Sequence, residues 1–74
     1  MDINKYQEIS ADIWKLFKKY HSEEAQVFEF PKDAHELHVK YEADEEALKF
    51  MQRLLKVYFD ELTKTKGWLD ERTN

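Results

Sequence analysis

Leu48, Met51, Leu55, Tyr58 and Leu62 alternate by threes and fours through the last third of the chain, which commits residues 45 to 66 to one amphipathic helix. Asp44 stands where an N-cap belongs, Glu45 and Glu46 put negative charge on the first turn, and Lys64 and Lys66 precede Gly67, the only glycine, at a C-terminal stop. The flanks add Phe50, Leu54, Val57 and Phe59, an apolar surface wider than one partner helix can cover. A second helix is expected over about residues 5 to 20, where Tyr6, Ile9, Ile13, Leu16, Phe17 and Tyr20 keep the same spacing. Asn4 with Gln7 fits its capping pair, and Trp14 lies off the centre of its stripe.

The stretch between them, "QVFEFPKDAHELHVKYEADEEA", alternates with period two. Phe28 and Phe30 oppose Glu29, and Leu37, Val39 and Tyr41 oppose Glu36, His38, Lys40 and Glu42. Strands over 26–30 and 36–42, joined by "PKDAH", would satisfy each other's backbone groups as an antiparallel hairpin. The expected fold is therefore α+β: one domain over residues 1–74, arranged α-β-β-α, with the hairpin's apolar face across both helices. The alternative is a three-helix bundle, in which Pro31 opens the middle helix, Ala34, Leu37 and Tyr41 align, and Val39 is stranded on the wrong face. Trp68 and Leu69 are expected to fold back onto the last helix, ahead of a frayed end, and no internal repeat is expected.

Charge is segregated. The net charge is −4, yet residues 21 to 46 hold nine acids against Lys32 and Lys40, a local −7. The chain has no cysteine, which excludes disulfides and thiol chemistry, and it has neither a membrane-spanning run nor a signal-like N-terminus. A cytoplasmic protein is expected.

Catalytic motifs are missing. "HELH" places His35 and His38 three apart, whereas the zinc-protease pattern needs four, so these and His21 read as surface histidines and no metal is expected. Phosphate-cradling loops need several glycines, and no Ser or Thr sits in a Gly-flanked elbow. Neither an enzyme nor a cofactor is expected. "KLFKKYH" mixes Lys15, Lys18 and Lys19 with Phe17 and Tyr20 as a nucleic-acid-binding helix would, but the neighbouring acids would repel phosphates.

"IWKLFKKYH" and "KFMQRLLKVYFDELTKTKG" together resemble the two ends of short uncharacterised proteins of prophages and mobile elements of Gram-positive bacteria. These pair a Trp-bearing helix with a terminal "LL..Y.DEL"-type helix. The resemblance implies a small phage or mobile-element accessory protein, with no activity attached. By exclusion, the expected function is a non-enzymatic protein-interaction module, a regulator or inhibitor. Its acidic hairpin face, Glu29, Glu36, His38 and Glu42, would meet a protein with a basic surface. The rival is a homo-oligomerising domain, with Trp14, Phe50, Val57 and Phe59 at a homodimer interface; a nucleic-acid binder led by the first helix is the third reading.

Overall fold

The structure, a computed structural model, describes residues 1–22 and 25–67. It is all-helical: α1 (Ile3–His21), a 3-10 turn (Val27–Glu29), α2 (Phe30–Tyr41) and α3 (Glu45–Lys66), with no strand among the described residues. Asp2, rather than Asn4, caps α1, its Oδ1 accepting from the Lys5 N–H at 2.9 Å. Asp44 caps α3 by accepting from the Ala47 N–H at 3.2 Å, and Gly67 closes that helix in the left-handed region at φ 69°. The expected fold-back of Trp68 and Leu69 lies outside the described residues.

The hairpin expectation is overturned, and with it the α+β class. Residues 26–30 form an extended residue, the 3-10 turn and the first residue of α2, and residues 36–42 run through the end of α2 into the following turn. The physical reason is a second period hidden in the same letters. Phe30, Ala34, Leu37 and Tyr41 fall at i, i+4, i+7 and i+11, one helix face, and Phe30 and Tyr41 are buried while Ala34 and Leu37 pack on the core. Pro31 sits in the first turn, where its missing N–H has no intrahelical partner to lose. Val39 is left 50 % exposed, a small cost. An isolated two-stranded hairpin, by contrast, is marginal in water.

α1 and α3 run parallel, since the Met1 ammonium meets Glu46 at 3.0 Å near their beginnings and Lys66 donates to the His21 carbonyl at 3.3 Å near their ends. α2 runs antiparallel to α1 along one side of the pair, its Lys40 at Asp12 and its Asp33 at Lys19. Two buried clusters follow, Ile9, Ile13, Tyr41, Ala47 and Met51 in one, Leu16, Tyr20, Phe30 and Leu62 in the other, and each draws on all three helices.

The α1–α2 contact also reveals an internal repeat. Asp12, Leu16, Lys19 and Tyr20 of "ISADIWKLFKKY" recur twenty-one residues later as Asp33, Leu37, Lys40 and Tyr41 of "FPKDAHELHVKY". Apolar residues also correspond, Ile9 to Phe30 and Ile13 to Ala34. Because the two helices are antiparallel, the aspartate of each meets the Lys-Tyr pair of the other. Lys19 Nζ and the Tyr20 hydroxyl donate to Asp33 Oδ2 at 2.7 and 2.6 Å, while Lys40 Nζ and the Tyr41 hydroxyl donate to Asp12 Oδ2 at 2.6 and 2.5 Å.

Candidate functional site

α2 covers one side of the α1/α3 pair and leaves the other side open. On α1 that open side is the row Ile3, Tyr6, Ser10, Trp14, Phe17 and His21, spaced by threes and fours. On α3 it is Phe50, Leu54, Val57 and Tyr58. Rings bridge the two rows: Tyr6 meets Phe50 edge-on at 4.9 Å, and Tyr58 lies 4.8 Å from Phe17 and 6.4 Å from Trp14. Packing stops there. Ile3 stays 76 % exposed, Tyr6 36 %, Trp14 48 % and Val57 61 %, so four of the seven large exposed hydrophobics among the described residues share this face. A shallow hollow at its far end, about 290 Å³, is lined by Trp14, Phe17, Lys18, His21 and Ser22.

Three of the residues expected at an oligomer interface, Trp14, Phe50 and Val57, are brought together here. The fourth, Phe59, lies on the other side of α3, 4.9 Å from the Phe30 ring, in a 420 Å³ apolar groove with Val27, Pro31 and Leu55. The face itself is wider than those residues indicated. Ile3 was missed because the first helix was expected to start at about residue 5, beyond it.

The acidic hairpin face does not exist as a surface, because the pleat that would align its residues is absent. Glu29 precedes α2, Glu36 is exposed on it one turn from both Lys32 and Lys40, Glu42 follows its end, and the His38 ring lies parallel to that of His35 at 6.2 Å. No group of three or more His, Cys, Asp or Glu able to hold a metal occurs among the described residues.

The titratable groups with shifted pKa values lie elsewhere. Partial burial pushes the Asp12 and Asp33 carboxyls up, but hydrogen bonds and charge from Lys40 with Tyr41, and from Lys19 with Tyr20, outweigh it and hold both below the ordinary carboxylate value. Burial and the bond to the facing aspartate push the Tyr20 and Tyr41 hydroxyls well up. Such saturated clusters hold helices in register; they offer no vacant base or acid.

No protein-family model, curated protein or solved structure matches the chain. Among the described residues, no helix is long and apolar enough to cross a membrane.

Proposed function

We propose that this protein is a non-enzymatic protein-interaction module that docks through the open α1/α3 face. One observation carries the reading: Ile3, Tyr6, Trp14 and Val57 stand exposed in a single stripe along the seam of two parallel helices. Scattered exposed hydrophobics need no explanation, whereas a contiguous aromatic and aliphatic stripe marks an interaction surface. An accessory role as a small regulator or inhibitor suits such a module, in keeping with the resemblance to prophage and mobile-element proteins. The homodimer is the second reading, favoured by the meeting of Trp14, Phe50 and Val57 on this face.

Hydroxyl-radical footprinting tests the first reading by comparing the protein in extract of its source cell with the purified protein. Ile3, Trp14 and Val57 should be protected in the extract, while Val39, equally open on α2, serves as the control. Equal labelling in both would rule the module out. Light scattering of the purified chain separates the second reading, since only self-association gives a dimer mass without a partner.

A further inference from the structure

We infer that the occupant of the α1/α3 face is an amphipathic helix of a partner protein, with an apolar stripe flanked by acidic residues. The inference rests on the proposed docking role of this face. Shape comes first. Parallel helices of 19 and 22 residues leave a straight groove about 28 Å long, at a rise of about 1.5 Å per residue, and α2 already occupies the equivalent position on the other side. A fourth helix laid in the groove would complete a bundle and bury the stripe at i, i+3, i+4 and i+7 anchors.

Charge decides the partner's flanks. Lys18 borders the stripe on α1, and Arg53 and Lys64 border it on α3; all three are exposed, and none has an ion pair among the described residues. The acids nearby equal them in number, but two of the three are engaged. Glu46 holds the Met1 ammonium and Asp60 meets Lys56, which leaves Glu61, four residues past Val57, as the one acid of the three without an ion pair among the described residues. This cationic border persists although the chain as a whole carries −4. A helix flanked by Glu or Asp is complemented there, and one flanked by Lys or Arg is repelled. Single-stranded nucleic acid would also meet cations and rings, but the stripe includes Ile3, Leu54 and Val57, aliphatic groups that give a base nothing to stack on.

The test is fluorescence anisotropy of three fluorescein-labelled probes titrated with the full chain: a helical peptide with a leucine stripe and glutamate flanks, the same peptide with lysine flanks, and an oligothymidylate. The glutamate peptide should bind at least about tenfold more tightly than the lysine peptide, and the margin should shrink as salt rises. Lys18→Glu with Lys64→Glu should reverse the preference, and Val57→Asp should weaken both peptides. Equal affinity for the two peptides, both lost in Val57→Asp, would overturn the acidic partner while sparing the docking role. Preference for oligothymidylate, or a dimer mass that Val57→Asp abolishes without peptide binding, would overturn it in favour of nucleic acid or a second copy. No peptide binding together with an inert Val57→Asp would sink both readings.

Discussion

The two seams of α1 solve the same problem with opposite chemistry. Against α2 it is fastened by two reciprocal clusters, each an aspartate receiving a lysine and a tyrosine, with the carboxylates only 18 and 19 % exposed. Against α3 it is fastened by Ile9, Ile13, Leu16, Met51 and Leu62, with rings bridging the outer edge. Apolar packing supplies most of the free energy but tolerates sliding, because a leucine contact has little directional preference. Charge-assisted hydrogen bonds yield less net stability and lose it steeply with misplacement. α2 has only 12 residues, too short to set its own register by packing area alone, and the two clusters set it at both ends.

Five substitutions, in three sets, probe that contrast. Met51→Ala, in the α1/α3 seam, should cost about 2 to 5 kcal/mol in urea unfolding, much of the roughly 4 to 11 kcal/mol expected for a chain of this size. A cost below that of the polar changes that follow would break the comparison.

Asp12→Asn and Asp33→Asn should each cost less, about 1 to 3 kcal/mol at neutral pH, and together they should also change the shape of the pH profile. Both carboxyls lie lower in the folded protein than unfolded, so their stabilisation is fully present above the unfolded value of about 4 and is lost as pH falls through the folded value. The tyrosines run the other way. Their hydroxyls are raised on folding, so that contribution is complete below about pH 10 and disappears as the medium becomes more alkaline. The double variant should therefore flatten the acid limb of a stability profile measured by circular dichroism. An unchanged acid limb would mean that other carboxylates set it.

Tyr20→Phe and Tyr41→Phe should have the smallest effects, about 1 kcal/mol each, and the two should match. Equal costs that add in the double variant would show two independent fasteners. A large difference would show that the repeat in sequence is not a repeat in energy.

The helices at the two ends were legible in the sequence because caps and periodicity agreed there, as in the run from Asp44 to Gly67. The middle was not, because its letters satisfy two periods at once. Val39 and the Phe28-Phe30 pair argue for a strand, while Phe30, Ala34, Leu37 and Tyr41 argue for a helix, and only the position of α1 and α3 decides between them. The repeated Asp and Lys-Tyr residues were in plain view, yet charges seven letters apart have no meaning until the antiparallel crossing pairs them. For the site, surplus apolar surface singled out Trp14, Phe50, Val57 and Phe59, but a surplus says nothing of which side of a helix remains open, and Phe59 lies on a different side of α3 from the face that carries the other three.

The parallel course of α1 and α3 has a kinetic consequence. Neighbouring helices in a simple bundle can close as local hairpins, but here Met1 must find Glu46 and His21 must find Lys66, each across 45 residues. The link between α2 and α3, residues 42–44, is the shortest closure and carries the smallest entropic penalty, so α1 is the last element to dock. Both buried clusters need α3, so no contiguous piece of chain ending before it contains a finished core. The domain is a single cooperative unit, in which the slowest-exchanging backbone amides of α1 and α3 should open together, at the free energy of global unfolding.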